Sequence, residues 1–230
     1  MGWWILLHVV LFVFWLGGDL GVFYSSRFVL REDLPPVARN TALKIMGGLD
    51  LGPKICLVLF LPSGVTLMAL DSHGAALGGF ELFHWWTVLP VWLFAFGWLF
   101  LTIKDHHAPG KHPVVRQADW GIRIALIAVL YALAAYTIVA DEPFGVSSNP
   151  KWLGAKVALY ATAIACGLGI RLTLRGFAAP YGALMTTGST PDVERALRRA
   201  VDGCLPYVWG IWLSVLAAAA FGILKPWMHG

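Results

Sequence analysis

Four ionisable side chains lie within long apolar runs of the sequence and are the first candidates for chemistry: His8, Asp19, Lys54 and Lys156. An ionisable group is costly in an apolar environment, so a chain that keeps one there uses it for a partner, a proton or a ligand. Imidazole is a common metal ligand, and a lysine amine binds a metal only in its neutral form. His8 and Lys156 are therefore candidate nitrogen ligands, and Asp19 and Lys54 are a candidate ion pair.

The composition indicates the solvent that these residues meet. Of the 230 residues, 58% are hydrophobic and 13% are charged, whereas soluble domains carry roughly a quarter charged residues. The chain is therefore predicted to be an integral membrane protein with the lipid bilayer as its main partner, and its formal net charge of +4 is no sign of nucleic-acid binding. The three cysteines have no C-x-x-C spacing, so neither a disulfide framework nor a thiolate metal site is predicted.

Six apolar runs are long enough to span a bilayer, which takes about 20 helical residues. The predicted helices cover residues 3–30, 42–70, 80–103, 120–140, 152–174 and 205–224. The first run lacks a basic start and contains Asp19, so it is predicted to be a helix of the protein and not a cleaved signal peptide. No strand-like alternation persists. The predicted fold is all-α, an integral membrane bundle of six transmembrane helices that forms a single domain over residues 1–230.

Lysine and arginine residues alternate strictly between the loops. They follow helices 1, 3 and 5, whereas residues 71–79 and 141–150 have none and the tails have only Lys225. Because cationic loops stay in the cytoplasm, both termini are predicted to be periplasmic, in a multi-pass protein of the bacterial inner (cytoplasmic) membrane. In the last cationic segment, Thr190 and Pro191 are predicted to begin a short surface helix over residues 191–201. Its arginines suit anionic lipid headgroups, and a binding site is the alternative.

Depth in the membrane sorts the four residues into two pairs. At ~1.5 Å per residue, Asp19 lies about 22 Å and Lys54 about 24 Å from the outer surface. Neighbouring glycines allow helices 1 and 2 to approach, so an ion pair is predicted that either fixes their register or binds a proton or a propionate. His8 and Lys156 both lie near the outer interface. Depth alone also fits an interfacial histidine and a lysine that snorkels to the headgroups.

A resemblance to a known family adds to this interpretation. The run from His8 to Arg27, HVVLFVFWLGGDLGVFYSSR, resembles the first helix of the HemJ-type protoporphyrinogen oxidases and the related CopD-like membrane proteins. The resemblance implies that His8 and Lys156 bind a b-type haem, with Trp15, Tyr24 and Arg27 of the same run at the cofactor site. The run WLGAK that ends at Lys156, and the Lys-Pro near the C-terminus, resemble the family's lysine helix and its ending.

The chain departs from that family by an extra pair of helices, the third and fourth. This pair brings His84, beside two tryptophans, which is either an interfacial histidine, an alternative axial ligand, or a ligand for a second haem or metal. His73, in the outer loop, is predicted to be solvated. His106, His107 and His112 form a predicted cytoplasmic loop, for which a solvated loop and a transition-metal site both stay open.

The sequence therefore predicts a membrane protein with one or two b-type haems that transfers electrons or carries out an oxidoreduction, with a quinone or a porphyrin-like molecule as reductant. A haem-dependent oxidoreductase is preferred to a protein without enzyme activity. One alternative is a CopD-like permease for copper or another metal, although no cluster of Met or Cys side chains lines a helix. Another is a non-catalytic membrane subunit of a redox complex. The redox partner and the oligomeric state, a homo-oligomer included, stay open.

Overall fold

The structure, a computed structural model, describes residues 2–70, 84–108, 110–145 and 150–226. Over these residues the regular elements are helices, with three short 3-10 turns and no strand. The α-helices are α1 (Gly2–Val29), α2 (Pro36–Leu70), α3 (Val88–His107), α4 (Pro113–Val139), α5 (Lys151–Thr173), α6 (Ala178–Thr187), α7 (Pro191–Asp202) and α8 (Leu205–Leu224). Six of the helices are long and apolar enough to cross a membrane, which confirms the predicted all-α bundle of six spans.

The outer surface of the bundle is apolar. Val13, Phe14 and Leu213, on α1 and α8, each expose more than half of their surface, as do many other large hydrophobic side chains. A continuous surface of this kind is unfavourable in water and favourable against lipid tails. The six long helices therefore belong in a bilayer, with their exposed faces toward lipid.

Neighbouring helices in the chain pack side by side, α1 on α2, α2 on α3, α3 on α4 and α4 on α5, and α8 then packs on α5. The ring of Phe23 on α1 meets that of Trp212 on α8 edge to face, with 5.4 Å between centroids. The interior between the helices is filled by buried residues such as Trp15, Trp98 and Ile164. Because the chain crosses the bundle six times, an even number, both termini lie at one end of the bundle. We call this end the termini end.

Close approaches at glycines bring several of the helices together, as two examples show. A Cβ atom on Gly18 would lie 2.7 Å from the Pro53 side chain, so only glycine allows α1 to approach α2 at this level. A Cβ atom on Gly169 would overlap the Tyr207 ring of α8 in the same way. The α1–α2 contact thus depends on Gly18.

At the end opposite the termini, α6 and α7 pack over the ends of α1 and α2. Leu30 packs with Leu184 and Leu197 in a small separate core. The Val193 backbone N–H donates to the Thr190 hydroxyl at 3.4 Å, which caps the first turn of α7. Helix α6 was not predicted from the sequence, which had indicated only the second of these two surface helices.

Several helices extend beyond their predicted ends. Helix α2 begins at Pro36 and α4 at Pro113, one to two turns earlier than the apolar runs begin, because proline is well suited to the first position of a helix. Helix α3 ends at His107, so His106 and His107 lie on a helix and not in the predicted loop. Residues 80–83 of the predicted third span lie outside the described residues.

Candidate functional site

His8 lies near the termini end of α1 and is bonded to α2. Its Nδ1 atom lies 2.8 Å from the Ser63 Oγ atom, and its ring packs 4.5 Å from the Phe60 ring. The Ser63 hydroxyl donates its one hydrogen to the Phe60 carbonyl at 3.1 Å. Ser63 must therefore accept from His8, which places the imidazole proton on Nδ1 and the lone pair on Nε2. Among the described residues none bonds to Nε2, so this atom is available to a ligand.

Lys156 lies on α5 at the same end of the bundle. A Cβ atom on Gly222 of α8 would lie 2.8 Å from the Lys156 Nζ atom, so this glycine makes room for the amine. The amine lies near enough to His8 and to Lys225 to interact electrostatically with both. The structure thus brings the two predicted nitrogen ligands to one region, with the Lys225 amine over the Trp152 ring at 5.7 Å.

The other three residues of the predicted haem site divide between the two ends of α1. Trp15 is 2% exposed and meets Phe60 edge to face at 5.3 Å, so it extends the aromatic surroundings of His8. Arg27 bonds Asp202 of α7 at 3.0 Å, at the far end. Tyr24 is 66% exposed and turns outward. At ~1.5 Å per residue Arg27 lies about 28 Å along the helix from His8, too far for one porphyrin to reach both.

The remaining histidines occupy three different places. His84 precedes the 3-10 turn before α3, is exposed, and stacks on Trp86 with 6.3 Å between centroids. The His106 Nδ1 atom lies 3.3 Å from the Lys54 Nζ atom, whereas His112 is exposed before α4. His73 lies outside the described residues. In the described part of the chain, no group of three or more His, Cys, Asp or Glu side chains is placed to hold a metal ion.

The predicted pair between Asp19 and Lys54 is replaced by another. Lys54 forms its ion pair with Asp50, one turn earlier on α2. A partner on the same helix is available without any tertiary contact, and it competes with one on α1. The Asp19 Oδ2 atom is buried and bonds no described residue, whereas Trp15 interacts with the same carboxyl group and the carboxylate of Asp50 acts on it electrostatically. One oxygen of Asp19 is therefore a buried acceptor without a described donor.

A second charged centre surrounds Asp119 of α4, which is fully buried. Its carboxylate accepts from the Arg123 Nε atom at 2.9 Å and from the Arg171 Nη1 atom at 2.6 Å. Trp98 and Thr102 of α3 also donate to it, at 2.9 and 3.0 Å. The carboxylate thus joins α3, α4 and α5. This centre was not predicted from the sequence, although Asp119 and Arg123 are spaced by one helical turn.

A cavity of about 290 Å³ lies between α1, α2, α5 and α8, in the half of the bundle away from the termini. Charged side chains line it at several points. They are Asp19, Asp50, Lys54, Arg123 and Arg171. Most of the remaining wall is apolar, with Trp15 at the side toward His8. The cavity is therefore a polar site enclosed by apolar walls, next to the His8 region.

Comparisons with protein-family models, with curated proteins and with solved structures find no match to this chain. The class of protein is therefore defined by the fold alone, a helical protein with six spans. Within the described part of the chain, two regions have side chains suited to binding or chemistry. They are the surroundings of His8 and Lys156 and the cavity next to them.

Proposed function

We propose that this protein binds a b-type haem between His8 and Lys156 and transfers electrons in the membrane. The observation that carries the proposal is the hydrogen-bonded chain from His8 through Ser63 to the Phe60 carbonyl. A ligating histidine is usually oriented by a hydrogen bond from its other ring nitrogen. His8 has such a bond on Nδ1 and keeps the lone pair of Nε2 for iron.

The surroundings of the two nitrogens fit the group. A b-type haem is apolar over most of its surface and takes nitrogen ligands along its axis. Phe60 and Trp15 supply aromatic surface beside His8, and the amine of Lys156 lies against Gly222 of α8. When bound, the haem supplies one-electron chemistry, and the protein sets its potential through the axial ligands and their burial. Arg27 and Tyr24 have no part in this site.

The orientation belongs to the same proposal. Because cationic loops stay in the cytoplasm, we propose that the termini end, with His8 and Lys156, faces the periplasm. Two single-cysteine additions test this, Lys151→Cys at the termini end and Lys111→Cys at the opposite end, both at exposed positions. A membrane-impermeant maleimide should label Lys151→Cys in intact cells, and Lys111→Cys only after the cells are opened. The reverse pattern would overturn the orientation.

The haem itself is tested by the absorption spectrum of the purified protein. We expect a Soret band that shifts on reduction, its loss in His8→Ala, and a bound haem with an altered spectrum in Lys156→Met, because thioether sulfur is also an axial ligand. His112→Ala and Lys151→Met are the matched controls, since both residues are exposed. A colourless preparation that retains copper would refute the haem and favour a metal permease.

Enzyme activity is a separate part of the proposal, since haem serves electron transfer as well as catalysis. Oxidation of protoporphyrinogen by the haem-loaded protein, with His8→Ala as the inactive reference, tests the oxidoreductase. Failure of the loaded protein to oxidise this substrate would leave electron transfer as the function.

A further inference from the structure

Two polar groups that line the cavity lack a partner, and they are of opposite kinds. The Asp19 Oδ2 atom accepts from no described residue, and the Arg123 Nη2 atom donates to none. Arg123 is 2% exposed, and its Nε atom is already committed to Asp119. Leaving such a group unsatisfied is costly, so native proteins seldom do so without a purpose. The pair therefore indicates a ligand that has both a donor and an acceptor.

The charges around the cavity select a neutral ligand. An anion would be attracted by the free nitrogen of Arg123 but repelled by the carboxylates of Asp19 and Asp50. A cation would be attracted by the two carboxylates but repelled by Arg123. The other charges of the wall already compensate one another, Lys54 with Asp50 and Arg171 with Asp119. A molecule without net charge that both donates and accepts a hydrogen bond satisfies the two free atoms without burying another charge.

The walls and the size of the cavity specify the rest of the ligand. Phe23, Leu57, Ile170 and Val208 are among the apolar residues that face the space. A volume of about 290 Å³ accommodates a single substituted ring and no porphyrin. The helices α1 and α8 make few contacts with each other besides the Phe23–Trp212 ring pair, and a lipid-like tail would leave the cavity between them toward the bilayer. A ring with hydroxyl groups and an apolar tail has all of these properties.

We propose that this cavity binds the headgroup of a lipid-soluble quinol, with one hydroxyl donating to the Asp19 Oδ2 atom and the other oxygen accepting from the Arg123 Nη2 atom. The role of the quinol as electron donor to the haem rests on the proposed function. Binding of the headgroup needs only the cavity.

The test is direct binding of a decyl-substituted benzoquinol to the purified full-length protein in detergent, by titration calorimetry. We expect one saturable site per chain. Asp19→Leu should weaken the affinity roughly 10- to 100-fold, because the hydrogen bond to a charged acceptor is lost. The same variant should unfold at an equal or higher temperature than the natural protein, since it removes an unsatisfied buried carboxylate. Asp141→Leu, at an exposed loop position, is the matched control.

The proposal would be overturned if uptake of the quinol did not saturate, or if the natural protein and Asp19→Leu bound it equally well. The cavity would then hold water only. The same titration on His8→Ala separates this inference from the proposed function. If no preparation has a Soret band but both proteins bind the quinol, the haem proposal fails and the quinol site survives. If the Soret band is present and quinol binding is unsaturable, the quinol site fails and the haem proposal survives.

Discussion

The imidazole of His8 and the hydroxyl of Ser63 are joined across the α1–α2 interface by a hydrogen bond of 2.8 Å. If His8 binds iron, this bond fixes the ring and keeps the Nε2 lone pair toward the metal. Ser63→Ala should then weaken haem binding about 10- to 100-fold, as removal of such a partner does at other metal sites. Haem titration of the apoprotein, followed at the Soret band, measures the change.

The control for Ser63→Ala is Thr41→Ala, which removes an exposed hydroxyl of the same helix that bonds only the Val37 carbonyl. Its haem affinity should equal that of the natural protein. Unchanged affinity in Ser63→Ala would show that the serine does not orient an iron ligand.

The second prediction concerns the contribution of the buried Asp119 carboxylate to stability. Asp119→Ala would leave the Arg123 and Arg171 cations close together, without the anion that both now bond. Breaking a buried ion pair by removing one partner costs about 3–5 kcal/mol. We expect a large fall in the thermal unfolding temperature in detergent, with poor expression as the extreme outcome.

The matched control is Asp192→Ala, since the side chain of Asp192 is 89% exposed and bonds only the exposed Arg195. Its effect should stay within about 0.5 kcal/mol, as for most surface substitutions. Equal unfolding temperatures for Asp119→Ala and the natural protein would mean that the centre joining α3, α4 and α5 contributes little to stability.

The number of spans was predictable because apolar run length is local information, and an apolar run has few alternatives to a membrane helix. The predicted ends fell short at Pro36 and Pro113, where polar residues extend a helix past its apolar part. Helix α6 was missed because its sequence, with Pro180 and Gly182 inside it, has neither a strong cap nor an amphipathic pattern.

The partners of the buried charges were less predictable, because counting residues gives the depth of a side chain but not the face of the helix on which it lies. Asp19 and Lys54 were predicted to lie at the same depth in the membrane, yet Lys54 forms its ion pair with Asp50. Arg123, near the end of a span, was not predicted to be buried, whereas its ion pair with Asp119 holds it inside the bundle. His8 and Lys156 are at one end of the bundle, which depth alone had indicated.

The contact between α5 and α8 gives a third prediction. A methyl group on Gly169 would overlap the Tyr207 ring, so Gly169→Ala should push the helices apart and lower the unfolding temperature. Overpacking of this kind typically costs about 1–3 kcal/mol. The added Tyr207→Ala should recover part of the loss, because it removes the ring that is struck. Thermal unfolding of the single and double variants in detergent measures this coupling.

Gly167→Ala, two residues earlier on α5, is the control, because a Cβ atom there would have no described atom within 4 Å. This substitution should be neutral or slightly stabilising, since alanine favours the helix by up to about 1 kcal/mol. Additive effects of Gly169→Ala and Tyr207→Ala would contradict a direct clash between the two positions.

The surface helix α7 is tied to α2 by a buried ion pair that responds to pH. Both nitrogens of the Arg39 fork donate to Glu194, at 2.7 and 2.9 Å, and the Ser189 hydroxyl adds a third bond to this carboxylate. The hydrogen bonds from Arg39 lower the pKa of Glu194 below its usual value. A carboxyl group with a lowered pKa in the folded state contributes stability above its unfolded pKa, about 4.3, and loses that contribution as the pH falls through the folded pKa.

The fourth prediction is that Glu194→Gln removes this dependence on pH. At pH 7 the variant should exchange the backbone hydrogens of α7 faster than the natural protein, because Arg39 then has a neutral acceptor in place of a carboxylate. As the pH falls below about 4.3, the unfolding temperatures of the two proteins should converge, since the natural carboxylate is being protonated. Glu32→Gln, which alters the exposed pair with Arg198, should leave α7 unchanged. A difference between Glu194→Gln and the natural protein that does not narrow as the pH falls below about 4.3 would contradict the role of the charge.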